Sequence, residues 1–204
     1  MSKRFWNTSE RQSSASRYDE APMSTDAQPD PIAAVLEWGL RQAHDRLIEI
    51  VSDMTDEQLS WSPQPGAHSL GFVVWHIARC DDNYLRVHIQ GREEIWREER
   101  WWERWNMDPE STGMLLSDDQ ASDLELPSKA DIVDYCRRVW NEVDDFLGNL
   151  DASGMAQTVS NVPRTTNMSI GQIYVSHIVG HDNRHLGEME YIKGLMGLRG
   201  SVTL

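Results

Sequence analysis

Residues 169–195 read SIGQIYVSHIVGHDNRHLGEMEYIKGL, and the fold turns on this stretch. Ser169 followed three residues later by Gln172 is a capping box, in which two side chains satisfy backbone N–H groups that a helix start leaves without partners. Behind it Ile173, Tyr174, Ile178, Leu186, Met189, Ile192 and Leu195 keep an apolar side at helical spacing, and Gly197 meets the helix at its close. A helix with one apolar side must bury that side against other elements.

Three partners lie upstream. Ser128 and Asp131 form a capping pattern ahead of Ile132, Val133, Cys136, Val139, Trp140, Val143, Phe146 and Leu147, with Gly148 at the end. Ser69 caps a helix from Leu70 to about Gln90, carrying Val73, Val74, Ile77, Leu85 and Val87, which Gly91 can terminate. Asp30 and Pro31, a cap and a first-position proline, open a helix through Ile32, Val35, Leu36, Leu40, Ala43, Leu47, Ile50, Val51 and Met54. Four long amphipathic helices and almost no alternating β pattern predict an all-α fold, a four-helix bundle. Residues 106–127, rich in Pro, Gly, Ser and Asp, form a long crossover connection, and the stretch to Asn167, with Pro163, is a loop. The charged run Arg92–Trp105 holds Trp96, Trp101, Trp102 and Trp105 and reads as a short helix across a cleft mouth. Its tryptophans line a substrate cleft, shield a dimer seam or pack against the bundle.

The chain divides into two regions: a disordered leader over residues 1–29, rich in Ser, Pro and charge without apolar periodicity, and a bundle domain over residues 30–204. Nineteen basic against 33 acidic residues give a net charge of −14, which repels phosphate backbones and anionic membranes. Nucleic acid and membranes are therefore not expected partners. No run approaches the roughly 18 apolar residues of a membrane span, and the N-terminus lacks a signal peptide's apolar centre, so a cytoplasmic protein is expected. Cys80 and Cys136 read as reduced, buried thiols. Aromatic patches on an acidic bundle make a homodimer the expected assembly.

The chemistry lies in the histidines. His177, His181 and His185 fall at i, i+4 and i+8, a stripe about 80° wide on a helix turning roughly 100° per residue. Two imidazoles one turn apart can hold one metal ion, and spacing alone favours neither His177 with His181 nor His181 with His185. A third ligand must come from a facing helix, and His76 is the candidate. Three neutral imidazoles leave an open position for water or substrate, as catalytic sites require. The competing readings of the stripe are a hydrogen-bonded polar cluster and a half-exposed face. Residues 181–185 also match the zinc-peptidase pattern H-E-x-x-H with Asp182 for the Glu, a shorter carboxylate that reaches a metal-bound water poorly. His44, His68 and His88 are expected to face solvent or loops. Cys80, one turn after His76, is read as a small buried residue with a ligand role as the alternative.

The stretches Ser69-Leu70-Gly71-Phe72-Val73-Val74-Trp75-His76-Ile77-Ala78 and His177 through Glu188, with the Leu59-Ser60-Trp61-Ser62-Pro63 turn and the tryptophan-rich segment, resemble the DinB-like/YfiT-like superfamily over about residues 30–197. The resemblance implies a four-helix bundle with a long crossover and a divalent metal ion, usually zinc or nickel. Carried over by position, it implies His76, His181 and His185 as metal ligands, with His177 a neighbour and catalytic groups unknown. Gly187-Glu188 stands where the family has Gly-Gln, a departure that bears on hydrogen bonding around the ligands. Asp82 or Glu188 is expected to orient the ligands. Relatives include transferases that join a low-molecular-weight thiol to electrophiles, isomerases using such thiols, and hydrolases. The leading expectation is therefore a metal-dependent thiol S-transferase in detoxification, with a thiol and an electrophile as small-molecule partners. A metal-dependent hydrolase of small amides or esters and a non-catalytic dimeric binding bundle are the alternatives.

Overall fold

A computed structural model describes residues 28–160, 162–163 and 165–200, so the leader expected over residues 1–29 lies almost wholly outside the described residues. Asp30 starts helix α1 (Pro31–Ser52) as its chemistry dictates. Its carboxylate accepts from the N–H groups of Ile32 and Ala33 at 2.7 and 3.2 Å, and Pro31 occupies a position that needs no donor. A short α2 (Asp56–Leu59), closed by a Thr55–Gln58 capping box, leads to α3 (Leu70–Asp82), whose cap Ser69 accepts from the N–H of Phe72. Helix α3 runs on as a π-helical stretch, Asn83–Ile89, before Gly91 turns the chain at φ 64°.

Two single-turn helices, α4 (Ile95–Glu98) and α5 (Trp101–Arg104), carry the tryptophans. The crossover contains one further turn, α6 (Asp118–Ser122), and delivers the chain to α7 (Lys129–Gly148), capped by Ser128. The last bundle helix is built of α9 (Ile170–Ile173), a π-helical stretch (Tyr174–Val179) and α10 (Gly180–Leu195). Helices α1 and α3 each pack against both α7 and α10, so two successive bundle helices sit mainly across the diagonal, as a crossover topology requires. The core between them is dry and apolar: Leu40, Leu47 and Ile50 of α1, Val74 and Ile77 of α3, Val139 and Val143 of α7, and Ile178 and Met189 of the last helix are all buried.

The all-α bundle is therefore present, with three local differences from the sequence reading. The stretch before Asn167 is no simple loop: it holds α8 (Ala152–Ala156) and a small antiparallel hairpin, β1 (Thr158–Ser160) on β2 (Asn167–Ser169), with Val159 opposite Met168. Three-residue strands are too short to leave an alternating pattern. The tryptophan-rich segment does not cover a cleft. Trp96, Trp101 and Trp105 are buried around Tyr135, with ring centroids 5.3, 5.5 and 5.6 Å from it, which is the packing against the bundle among the readings of this group. Asp82 holds this subcluster down, accepting from the N–H groups of Ile95 and Trp96 at 2.9 Å each and from the Tyr135 hydroxyl at 3.0 Å. It has no place among the histidines, which removes it as an orienting group.

The third difference is the pair of π-helical stretches. In the last helix the N–H of Gly180 donates to the carbonyl of Val175, five residues back, and a Cβ at Gly180 would lie 2.9 Å from that oxygen. A wide turn inserts an extra residue and rotates the helix on its N-terminal side against the helix on its C-terminal side. His177 lies within this wide turn, and His181 and His185 follow it in regular α-helix.

Replacing Trp96, which is fully buried, by Ala should lower the unfolding free energy by about 3–5 kcal/mol in urea titrations. A loss under about 1 kcal/mol would contradict its place in the core.

Candidate metal centre

His76 comes from the second turn of α3, and His181 and His185 from the first two turns of α10, the regular α-helical part beyond the wide turn. The two helices pack together, and the three rings meet. The Nε2 atoms of His76 and His181 lie 3.2 Å apart. Ring centroids are separated by 5.1 Å for His76–His181, 5.2 Å for His76–His185 and 4.5 Å for His181–His185, each pair nearly edge to face. Two nitrogens bound at 2.0–2.1 Å to a tetrahedral ion sit about 3.3 Å apart, so the first separation suits a shared ion.

The outer nitrogens determine what the inner ones offer. His76 Nδ1 lies 2.6 Å from the carbonyl oxygen of Thr112 in the crossover. A carbonyl only accepts, so Nδ1 carries the proton and Nε2 presents a lone pair. His185 Nδ1 is likewise held, 2.7 Å from Glu188 Oε2. Glu188, the residue that departs from the Gly-Gln pattern, thus orients a predicted ligand, and its other oxygen approaches His68 Nδ1 at 3.4 Å. The hydrogen bond from His185 holds the Glu188 carboxyl below the usual range. Burial pushes His76 down to about 4, with the neighbouring histidines adding to the effect, so its imidazole is neutral at physiological pH.

Cys80 is buried as expected, yet it also faces the cluster. Its Sγ is 3.7 and 3.9 Å from the two nitrogens of His76, and the donor atoms of His76, Cys80 and His181 all fall within 4.8 Å of one another. The rings open into a cavity of about 480 Å³ walled by α3, the crossover and the last helix. Phe72, Met114 and Leu116 supply apolar wall, while His68, His177 and Arg184 also reach it. His177 lies against Tyr84, rings stacked at 4.8 Å, which joins one π-helical stretch to the other.

Two expectations need correction. His68 does not simply face solvent but lines the cavity, and His44 is buried, 3% exposed, among carboxylates. His44 Nδ1 lies 2.9 Å from Asp144 and Nε2 3.1 Å from Asp182, and the ring stacks on Trp140 at 4.6 Å. These partners raise His44 well above the ordinary range despite its burial. Burial, with Asp182 beside it, pushes the Asp81 carboxyl up to about 8. Asp182, the residue in the place of the peptidase Glu, turns towards His44 and away from the cavity, so the peptidase pattern has no chemistry here. His88 is half-buried near Asn83. The Thr112 carbonyl left no trace in the sequence, because every residue has one. The cavity-facing position of His68 could have been read from its place just before the Ser69 cap.

Residues 39–189 match the model of the family described as the DinB superfamily. No curated protein matches the chain. Among solved structures, a conserved protein from Enterococcus faecalis is 21% identical with a TM-score of 0.68, covering 84% of this chain and 99% of its own. YfiT from Bacillus subtilis, described as a probable metal-dependent hydrolase with an unusual four-helix bundle topology, is 15% identical with a TM-score of 0.57, covering 87% of this chain and 95% of its own. At these identities the likeness is one of fold.

The lowered pKa of His76 makes a prediction about acid. Its folded value is about 4 against 6.5 for an ordinary histidine, so the unfolded chain binds a proton first. Stability from this group is complete above about pH 6.5 and is lost as pH falls towards 4, by up to about 3 kcal/mol. Urea unfolding of metal-free protein at pH 7 and pH 4 should show that loss in the wild type and not in His76→Gln. Equal losses in the two proteins would refute the assignment.

Proposed function

The chain belongs to the DinB superfamily, and we propose that within it the protein is a metal-dependent thiol S-transferase acting on small electrophiles, with His76, His181 and His185 as ligands. The observation that carries this reading is the pair of inward nitrogens 3.2 Å apart, one of them fixed from behind by the Thr112 carbonyl. Zinc and nickel suit an all-imidazole set, and Cys80 offers a further donor beside it. A divalent ion there supplies the positive charge that favours a thiolate, the nucleophilic form, over the thiol at neutral pH.

The chain's own residues do the rest. Burial keeps the His76 ring neutral, so its lone pair is available without competition from protons. Glu188 fixes the His185 ring through Nδ1 and reaches His68, a half-buried imidazole on the cavity wall. Phe72, Met114 and Leu116 restrict water on the apolar side, and a cavity of about 480 Å³ accommodates a small thiol together with an electrophile.

The description of YfiT as a probable metal-dependent hydrolase favours a second reading, in which water replaces the thiol at the same set of histidines. One comparison separates them. Protein reconstituted with zinc or nickel should accelerate conjugation of glutathione or cysteine with 1-chloro-2,4-dinitrobenzene by about 10-fold or more over the metal-free form, and His76→Ala should behave as metal-free. Thiol-independent cleavage of 4-nitrophenyl acetate under the same metal dependence would replace transfer by hydrolysis. Turnover of neither probe with any added metal would remove both enzymatic readings and leave a binding bundle.

A further inference from the structure

We propose that His44, Asp81 and Asp182 form a second, fully buried site for a divalent cation, separate from the histidine cavity and tying α1, α3 and α10 together. His44 is 3% exposed, and Asp81 and Asp182 are not exposed at all. Donor atoms of the three all lie within 4.8 Å of one another. His44 Nε2 is 3.1 Å from Asp182 Oδ2 and 3.8 Å from Asp81 Oδ2. Ions with bonds of 2.0–2.2 Å to nitrogen and oxygen hold adjacent donors about 3–3.5 Å apart, so little movement separates these atoms from a coordination shell.

The surroundings are built as those of a metal-binding histidine are. Nδ1 of His44 lies 2.9 Å from Asp144 Oδ1 as an ion-pair contact without an aligned hydrogen bond, while Nε2, the nitrogen that would face an ion, is 3.1 Å from Asp182 Oδ2. Trp140 stacks on the ring at 4.6 Å and donates its indole N–H to Asp81 Oδ2 at 2.9 Å. Asp144, itself 3% exposed, also has the Arg41 guanidinium 3.8 Å away. A groove of about 270 Å³ reaches His44, Trp140 and Asp144 from outside, with Asp81 and Asp182 behind them.

A proton alone fills this cluster poorly. An imidazolium at His44 offers two N–H groups to three buried acidic side chains, and its close contacts are with Asp144 and Asp182. Asp81 Oδ1, Asp182 Oδ1, Asp144 Oδ1 and His44 Nδ1 are all buried and make no aligned hydrogen bond. A divalent cation in place of the Nε2 proton sets two positive charges against Asp81 and Asp182, leaves His44 neutral, and leaves Asp144 to the Nδ1–H and Arg41. One imidazole and two carboxylates suit zinc or manganese. Asp182 Oδ1 lies 3.5 Å from His181 Nδ1, so such an ion would also fix the carboxylate behind a histidine of the cavity.

The test is a metal count on the full chain, stripped with chelator, equilibrated with Zn²⁺ or Mn²⁺, and desalted. Wild type should hold two equivalents, and His76→Ala and Asp81→Asn one each. Zn²⁺ should raise the Tm of metal-free His76→Ala but not that of the His76→Ala/Asp81→Asn double variant. His44→Gln serves in place of Asp81→Asn should the latter not fold. The proposal is overturned by His76→Ala retaining no metal, or by Asp81→Asn and His44→Gln retaining as much as wild type. One equivalent in wild type, kept in His76→Ala and lost in Asp81→Asn, would uphold this site while removing the metal from the proposed transferase centre.

Discussion

A histidine binds a metal ion through the lone pair of a neutral ring, and the 2.6 Å contact of His76 Nδ1 with the Thr112 carbonyl turns that lone pair, on Nε2, inwards. The rest of the architecture positions this one bond. Thr112 lies in a crossover with little regular structure, so that segment must be pinned from both sides. Arg79, fully buried on α3, does part of this by donating to the Ser111 carbonyl at 3.1 Å while pairing with Glu94 at 3.2 Å. Gly113 does another part. Its φ of 84° suits glycine, and a Cβ there would stand 3.1 Å from His76 Nδ1 and 3.2 Å from Phe72 and Trp75. The chain passes over His76 closely because nothing projects at that residue.

The interior thus contains two polar systems in an otherwise apolar bundle, and they differ in sign. In the cavity burial holds His76 neutral, which suits a ligand, whereas the acidic side chains around His44 favour its positive charge. They meet at α10, where His181 faces the cavity and the adjacent Asp182 faces His44. A helix can serve both because consecutive side chains point about 100° apart. The surface excess of acid stands apart from both, and among the described residues no helix is long and apolar enough to cross a membrane.

Much of this was legible in the sequence, and for identifiable reasons. The caps at Asp30, Ser69, Ser128 and Ser169 are local hydrogen-bonding devices, so they read directly, and the 3.6-residue apolar pattern marked the four bundle helices. The i, i+4 spacing brought His181 and His185 to one side, and the wide turn that contains His177 could not be read, because a 3.6-residue pattern does not mark a π-helical turn. His44 was misplaced although its position carried a signal. It stands four residues after Leu40 and three before Leu47, both fully buried, which is the inward stripe of α1. The polar neighbours Asp45 and Arg46 obscured this. For the Trp96–Trp105 run the structure bears out packing against the bundle and not the cleft-mouth helix, since most of its charged residues face outwards while Trp96, Trp101 and Trp105 surround Tyr135.

The central claim is that His76, His181 and His185 converge on one ion. Anomalous diffraction at the zinc or nickel edge, from crystals of the metal-loaded full chain, addresses it directly. The account predicts a peak in the cavity about 2.0–2.1 Å from the Nε2 atoms of His76, His181 and His185. A map with no peak between those rings, or with an ion there bound by only one of them, would contradict it.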